Sequence, residues 1–287
     1  MSPKRQDPPT NLRSLETRVY NFAQQRGRPV RRIQRGVANT VVGQMLPPGV
    51  VKGGTAMNLR VGGASSRFTP DLDATRAASV TLEEYLDQLG ERLAVGWDGF
   101  TGNVERLDPA RPEGVPDDYV MQPFLIRLAY ARRHWLTVRF ELGHDEIGST
   151  ERQEFHVAPD LVELFATLGL DRPDPIPLLA VDHQIAQKIH ACTATNPTVG
   201  KDQRAHDLVD LQILGQEGPL DMSAIGATSE RLFAARRSQQ WPPTVVTYEA
   251  WDTIYIEASD GLDVLGNVAD AVDWANAFIA EVAGGTT

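Results

Sequence analysis

The sequence predicts a bilobed α+β protein in which a sheet-containing N-terminal lobe is followed by a mainly helical C-terminal lobe. The chain has 287 residues, a length that favours about two lobes over one. Period-two strand patterns concentrate in the first half, whereas the segment after Pro175 and Pro177 carries mostly helical patterns. We therefore assign residues 1–160 to the first lobe and residues 161–287 to the second.

Caps, turn residues and apolar spacing place each element in order. Asn11 and Thr81 are predicted N-caps, and Glu84 completes a capping box with Thr81. Predicted helices of the first lobe cover residues 11–27, 30–45, a short stretch up to 60, and a segment from 81. Predicted strands cover residues 50–51, 68–73, 100–104, 119–130, 135–141 and 155–158. Predicted helices of the second lobe cover residues 182–195, 203–214, 221–235, 248–258 and 266–282.

Composition excludes several classes of protein. Hydrophobic residues make up 41% of the chain and charged residues 23%, which is ordinary for a globular protein and argues against disorder. One cysteine, Cys192, permits no intrachain disulfide, so we expect a reducing, cytoplasmic environment. The sequence has neither a secretion signal at its start nor an apolar run of about 18 residues. We therefore expect no membrane partner.

Charge is distributed unevenly along the chain. The formal net charge is -10, but residues 1–36 hold nine Lys and Arg residues against two acids. That segment carries +7 and the remainder carries -17, so a polyanion such as RNA would be attracted to one side only. Alternatively, these arginines form a solvated helical face that pairs with acidic neighbours. The predicted RNA-binding residues are Arg28, Arg31, Arg32 and Arg35.

The segment Lys52-Gly53-Gly54-Thr55 follows a predicted strand and opens a predicted helix. Glycines let the backbone approach an anion closely, and a helix N-terminus offers free N–H groups and partial positive charge. The pattern is not a Walker loop, because its lysine precedes the glycines. It predicts a nucleotide-phosphate site, although a Gly-Gly pair after a strand is also common in a plain turn.

Asp71 and Asp73 lie two positions apart in a predicted strand, so both carboxylates point to the same face. Two neighbouring carboxylates repel each other unless a cation or a proton lies between them. Carboxylates suit Mg²⁺, which takes its remaining ligands from phosphates and water. The spacing predicts a magnesium site, with room for two ions, although a solvent-facing strand end can carry the same Asp-x-Asp pattern. Glu141 at the end of a later strand is the predicted third ligand, and the nearby Asp145 and Glu146 compete for that role.

Two predicted helices carry a second group of polar residues. Lys188 lies at the edge of an apolar helical face, and the next helix contains His206, Asp207 and Asp210. Lys188 could direct its charge toward phosphate in a cleft, or it could form a purely structural salt bridge with Asp210. The histidines at 190 and 206, with Asp207, also suggest a metal phosphohydrolase. That class is all-helical and has no use for the glycine turn, so we rank it second.

Together and in this order, these motifs resemble the AbiEii-type nucleotidyltransferase toxins, and most closely the mycobacterial MenT toxins. These families belong to the DNA polymerase β-like nucleotidyltransferase superfamily. The similarity extends from residues 11–15 to the segment Trp241-Pro242-Pro243. It implies a nucleotidyltransferase lobe with a mixed sheet and a helical lobe that contributes Lys188 and Asp210 to the cleft.

The resemblance also implies roles for single residues. Asp71 and Asp73 match the metal-binding carboxylates, and Thr55 matches the hydroxyl residue of the glycine turn. Lys188 matches the lysine that binds the triphosphate, and Asp210 matches the helical aspartate of the same site.

The loop before Asp71 departs from the pattern of the family. Residues 65–70 replace a serine-rich loop, and we place Ser66 among the nucleotide-binding residues. Pro70 directly precedes Asp71, so it restricts the mobility of this loop.

By resemblance, the protein is a bacterial toxin that transfers nucleotides from a nucleoside triphosphate to the 3′ end of tRNA. That reaction releases pyrophosphate and blocks aminoacylation and translation. An AbiEi-like antitoxin is the implied protein partner. The alternatives are a kinase or nucleotidylylating enzyme that acts on a protein, and a catalytically silent RNA-binding regulator.

Overall fold

The structure is a computed structural model that describes residues 7–109, 120–194 and 204–285. Within these ranges it contains one seven-stranded sheet with helices packed around it. Buried apolar side chains form two clusters. The first runs from Leu15 to Leu178 and lies on the sheet, and the second joins Met57 to the helices that follow Val181. The α+β class predicted from the sequence is confirmed.

The sheet is mixed, with strand order β3-β4-β5-β2-β1-β7-β6. β2 pairs in parallel with β5, and β1 pairs in parallel with β7, while the other neighbouring pairs are antiparallel. The strands are β1 (Gly49–Lys52), β2 (Leu72–Arg76), β3 (Phe100–Arg106), β4 (Gln122–Tyr130), β5 (Arg133–Gly143), β6 (Gln153–His156) and β7 (Ile176–Leu179). β1 and β2 therefore lie in the middle of the sheet.

One face of the sheet carries the first hydrophobic cluster. Val138, Phe140 and Leu142 alternate along β5 with polar residues that face the other way. The helices of this half are α1 (Leu12–Gln25), α2 (Val30–Met45), α3 (Gly53–Val61), α4 (Leu82–Val95) and α5 (Pro159–Leu168). Both predicted N-caps are present. Asn11 accepts a hydrogen bond from the Ser14 amide, and Thr81 forms a capping box with Glu84.

The helices of the second half are α6 (Val181–Cys192), α7 (Ala205–Gly215), α8 (Met222–Arg236), α9 (Trp251–Ser259) and α10 (Val268–Gly284). The ends predicted at residues 195 and 203 lie outside the described residues, as does the strand start predicted at 119. None of the helices in the described ranges combines the length and the apolar composition that a membrane span requires.

The largest differences from the sequence prediction concern three elements, and the strand predicted over 155–158 lies two residues earlier, at Gln153–His156. β2 begins at Leu72 and ends at Arg76, so the strand predicted over 68–73 is displaced toward the C-terminus. α5 and β7 were not predicted, and both pack with the first cluster although they reach beyond residue 160. Apart from Met57, the buried residues of the second cluster therefore begin at Ile185, after the last residue of the first cluster, Leu178.

Candidate active site

Three charged side chains lie side by side across the middle of the sheet. Asp73 on β2 is in register with Lys52 on β1 and with Glu141 on β5. The cross-strand pairing thus brings together residues separated by up to 89 positions in sequence, and directly opposite Cβ atoms in such pairs are only about 5 Å apart. Leu72 and Ala74, the neighbours of Asp73, are buried in the first cluster. The row therefore faces away from that core.

Asp71 stands at the entrance to β2, two residues before Asp73. Its backbone carbonyl accepts a hydrogen bond of 2.8 Å from the hydroxyl of Thr55, which lies in the first turn of α3. The same hydroxyl accepts a hydrogen bond of 3.1 Å from the Asn39 amide on α2. Asn39 and Thr55 are both buried. The helix that follows the glycine turn therefore holds the segment that carries the first aspartate.

The glycine turn allows Asp73 to approach the start of α3. Gly53 has φ +64, a conformation that favours glycine. A Cβ atom at this position would collide with Oδ2 of Asp73, and one at Gly54 would press on the side chain of Thr69. The two glycines thus make room for the side chains of Asp73 and Thr69 at the start of α3.

The electrostatics of the row depend on burial. Burial raises the pKa of Asp73 to about 6, and the charges of Glu141 and Asp71 act in the same direction while Lys52 opposes them. Burial lowers the pKa of Lys52, whereas the carboxylates of Asp73 and Glu146 act to raise it. Negative charge is therefore concentrated at Asp73 and only partly balanced by Lys52, which is an environment that attracts a cation.

The donor set at Asp71 and Asp73 fits a magnesium ion. Two carboxylates are sufficient protein ligands for Mg²⁺ when substrate phosphates and water complete the coordination. Glu141 accepts from Nε of Arg139 at 3.3 Å. Among the described residues, no three His, Cys, Asp or Glu side chains form a group that could hold a metal ion. The assignment of Glu141 as third ligand therefore stays a prediction.

Lys188 and Asp210 belong to one buried ion network. Nζ of Lys188 donates to Asp207 at 2.7 Å and to Asp210 at 2.6 Å. Arg67, in the loop before β2, donates to both carboxylate oxygens of Asp210, each at 3.0 Å. Burial alone would lower the pKa of Lys188, but the two carboxylates raise it above its ordinary value. Burial alone would raise the pKa of Asp210, but Arg67 and Lys188 lower it. These shifts favour the charged forms of Lys188 and Asp210, and the network joins α6 and α7 to the loop before β2.

A second contact joins α6 to the glycine turn. The side-chain amide of Gln184 donates to the Gly53 carbonyl at 3.3 Å. Gln184 and Lys188 lie one helical turn apart on α6 and therefore share a face. The charge of Lys188 also acts on Asp73, lowering its pKa. One face of α6 is therefore directed at the site from the helical half of the molecule.

Two of the four arginines predicted to bind RNA hold the loop that precedes β2. Arg28 and Arg32 donate to the Gly63 carbonyl at 3.3 and 2.8 Å, and Arg32 also donates to the Ser66 carbonyl. Ser66 is buried, and its hydroxyl donates to the Gly62 carbonyl. These contacts give Ser66 and two of the arginines a role in holding the loop.

The other two arginines are arranged differently. Arg35 donates to the Thr137 carbonyl at 3.1 Å and is close enough to Asp71 for that carboxylate to act on its pKa, although burial is the larger effect and lowers it. Arg31 is exposed, and its guanidinium lies 5.8 Å from the centre of the Phe68 ring. Of the four, Arg31 is thus the most available to an external anion. Lys4 and Arg5, which contribute to the basic segment, lie outside the described residues.

His190 does not take part in a metal centre. Its Nδ1 lies 3.1 Å from Nη1 of Arg236, and its Nε2 lies 3.0 Å from the Ser238 hydroxyl. Because an arginine can only donate, Nδ1 is the acceptor and the ring is neutral. Burial and Arg236 lower the pKa of His190 to about 3. Both ring nitrogens are therefore engaged, which removes the basis for the phosphohydrolase alternative.

Sequence reasoning missed two residues of the site and ranked a third, Glu146, below Glu141. Arg67 is 143 positions from its partner Asp210, and Gln184 is 131 positions from Gly53. Glu146, near Lys52, is held by two hydrogen bonds of 2.6 and 2.7 Å from Arg236. No local spacing signals such pairs, because only the packing of the helical half against the sheet brings them together.

Comparisons with known proteins bear on the family and the fold of the chain. The family model of the nucleotidyl transferase AbiEii toxins, type IV toxin–antitoxin system, matches residues 43–274. Among solved structures, MenT4, a nucleotidyltransferase toxin from Mycobacterium tuberculosis, has a similar fold, with a TM-score of 0.50 and 17% identity over 95% of this chain and 99% of that one. An antigenic nucleotidyltransferase-like protein from Paracoccidioides brasiliensis matches with a TM-score of 0.34 and 13% identity over 80% and 91% of the two chains. A comparison with curated proteins gives no match.

Proposed function

Because the chain belongs to the AbiEii family of nucleotidyltransferase toxins, we propose that it transfers nucleotides from a nucleoside triphosphate to the 3′ end of tRNA. A nucleotide added there would block aminoacylation and hence translation. The observation that carries the proposal is that the Asp73 carboxylate lies against Gly53 while the Asp71 carbonyl is bonded to Thr55, so both aspartates lie beside the glycine turn. Phosphate-binding backbone and a carboxylate pair are the two devices that phosphoryl transfer needs.

In the proposed reaction, the sheet half and the helical half contact different parts of the triphosphate. The N-terminus of α3 presents the backbone N–H groups of the turn to the triphosphate, and the ammonium of Lys188 offsets negative charge that develops on the leaving pyrophosphate. Asp207, Asp210 and Arg67 keep that ammonium in place. The RNA hydroxyl attacks the α-phosphate, and the chain forms no covalent intermediate with the nucleotide.

Asp71 and Asp73 are the residues that would hold magnesium. When bound, the ion would neutralise phosphate charge and lower the pKa of the attacking hydroxyl. Asp73 would supply its carboxylate from β2 and Asp71 from the residue before that strand, where the Thr55 hydroxyl holds the Asp71 carbonyl. Glu141, in register beside Asp73, would accept the proton from the RNA hydroxyl.

Basic residues near Asp71 support the proposal that the nucleotide acceptor is RNA. Arg31 is exposed beside Phe68, only three residues from Asp71, and Arg35 on the same face of α2 is close to Asp71. Arginine and an aromatic ring can together bind a phosphate and a stacked base. The family also implies an antitoxin, for which an AbiEi-like regulator is the proposed partner, and action in the bacterial cytoplasm.

The experiment is a labelling assay with total bacterial RNA, Mg²⁺ and each nucleoside triphosphate in turn, labelled at the α- or the γ-phosphate. We expect the α-label to appear in the tRNA fraction, at the 3′ end, and the γ-label to leave as pyrophosphate. Transfer of the γ-label to a protein would indicate a kinase, and transfer of the α-label to a protein would indicate a nucleotidylylating enzyme. RNA binding without transfer of either label would indicate a silent regulator.

A further inference from the structure

The hydroxyl of Thr55 is fully committed within the protein. Thr55 is 1% exposed, and its Oγ1 lies 2.8 Å from the Asp71 carbonyl oxygen. A threonine hydroxyl has a single proton to donate, and the carbonyl accepts it. The hydroxyl could therefore donate to a triphosphate oxygen only after releasing Asp71. This conflicts with the role that family resemblance gave to Thr55.

Asn39 determines which way the hydroxyl points. Its Nδ2 donates to Thr55 Oγ1 at 3.1 Å, so the proton of that hydroxyl is directed toward the Asp71 carbonyl. Asn39 is buried, and its Oδ1 has no hydrogen-bond partner in the described part of the chain. A buried polar atom without a partner lowers stability. Stability alone therefore does not explain an asparagine at position 39, whereas orienting the Thr55 hydroxyl does.

We propose that Thr55, oriented by Asn39, is a positioning residue that sets the backbone at Asp71 for metal binding and does not contact the triphosphate. The proposal rests on the proposed function and deepens it. Pro70, which precedes Asp71, has no N–H to donate, and the Thr55 bond ties the Asp71 carbonyl to α3. Two hydrogen bonds, from Asn39 to Thr55 and from Thr55 to Asp71, thus connect α2 and α3 to the entrance of β2.

The test compares Thr55→Val, which removes the hydroxyl at nearly constant volume, with Thr55→Ser, which keeps it. Thr40→Val is the matched control, since the Thr40 hydroxyl is equally buried and also donates to a backbone carbonyl at 2.8 Å, within α2. Three quantities are measured for each variant: kcat and KM for the nucleoside triphosphate, the affinity for Mn²⁺ from its electron paramagnetic resonance signal, and the melting temperature.

We expect Thr55→Val to lower Mn²⁺ affinity and kcat by about 10-fold or more, as is typical when a group that orients a metal ligand is lost. KM for the triphosphate should stay within about twofold. Thr55→Ser should restore both quantities, and Thr40→Val should change only the melting temperature.

A raised KM at unchanged kcat would make Thr55 a phosphate ligand and overturn the proposal. A lowered melting temperature with normal kcat and Mn²⁺ affinity would also overturn it, leaving a structural role only. If the wild-type protein binds Mn²⁺ but transfers no nucleotide, the proposed function fails while the Mn²⁺ titration still decides the role of Thr55. If the wild-type protein binds no Mn²⁺, the positioning role fails as well.

Discussion

At the scale of single residues, the site combines groups that are charged and groups that hold them. Asp73 and Lys52 are neighbours across two strands, and Lys188 is enclosed by Asp207 and Asp210. The sequence identified these residues because their types and spacing point to phosphate and metal chemistry. It could not show that the Thr55 hydroxyl is directed at a backbone carbonyl, since that depends on the position of Asn39 on another helix.

Substitutions of Lys188 test whether the ion network contributes to catalysis as well as to stability. Lys188→Ala leaves Asp207 without its closest cation and Asp210 with Arg67 alone. Breaking a buried pair by removing one partner costs about 3–5 kcal/mol, so the free energy of unfolding should fall by that order. Lys188→Arg should keep most of this stability but only part of the activity, because a guanidinium is planar and wider than an ammonium.

Melting temperature and transfer rate are measured on the same preparations, and the rate is expressed per folded molecule. Arg231→Gln serves as a control on the helical half, away from the ion network. Should Lys188→Arg lose stability and keep a normal rate per folded molecule, the lysine would be structural and its role toward the triphosphate would be withdrawn.

Because the pKa of His190 is lowered in the folded protein, we expect the free energy of unfolding to depend on pH. Its pKa is lowered to about 3 in the folded protein, against about 6.5 in an unfolded chain. Since the unfolded state binds the proton first, the stabilisation is complete above pH 6.5 and is lost as the pH falls from there toward 3. Each pH unit within that window should cost up to about 1.4 kcal/mol.

Urea denaturation at pH 7.5 and pH 5 measures this effect. We expect His190→Gln to show a smaller drop in stability between the two pH values than the wild type. His134→Gln, at an exposed histidine, should keep the wild-type drop. Equal drops in all three proteins would mean that His190 does not contribute.

At the scale of elements, the sequence predicted most helices and the strands with clear alternation, and it failed where tertiary contacts decide. Residues 68–71 are not part of β2, because the preceding loop is fixed by Arg32 and Arg67, and Pro70 cannot donate to a ladder. β7 contains Pro177 and follows Pro175, so the sequence suggested a break where a short strand pairs with β1 and β6.

The arginines of α2 separate loop positioning from RNA binding. Arg32 donates to two loop carbonyls, whereas Arg31 is exposed beside Phe68. Arg31→Gln should therefore weaken RNA binding and reduce the slope of log affinity against log salt by about 0.7–0.9, the value for one phosphate contact. Arg32→Gln should leave that slope unchanged and lower kcat, because the loop that leads to Asp71 is loosened.

RNA binding at several salt concentrations, together with kcat, checks this contrast. Combining Gln at positions 28, 31, 32 and 35 should add a raised KM for RNA, while KM for the nucleoside triphosphate changes little. If all four changes leave RNA affinity and its salt slope unaltered, the RNA-docking role of α2 is wrong, and these arginines serve the loop or a protein partner.

At the scale of the whole molecule, the catalytic proposal needs both halves. The sheet supplies Asp71, Asp73 and the glycine turn, while α6 and α7 supply Lys188 and Asp210. Arg67 and Gln184 connect the halves through Asp210 and the Gly53 carbonyl. The sequence indicated two halves, but the contacts between them follow only from the packed structure. The basic segment on an acidic body, with -10 overall, would direct RNA toward one side.

The most direct measurement is the rate at which α-labelled nucleotide enters RNA with wild-type protein, Asp73→Asn and Asp87→Asn. Asp87 is an exposed aspartate of α4 and serves as the matched control. We predict a loss of at least about 100-fold for Asp73→Asn, the usual effect of removing one preorganised electrostatic group, with an unchanged circular dichroism spectrum and normal activity for Asp87→Asn. A folded Asp73→Asn protein that transfers the α-label at a rate close to that of the wild type would contradict the account.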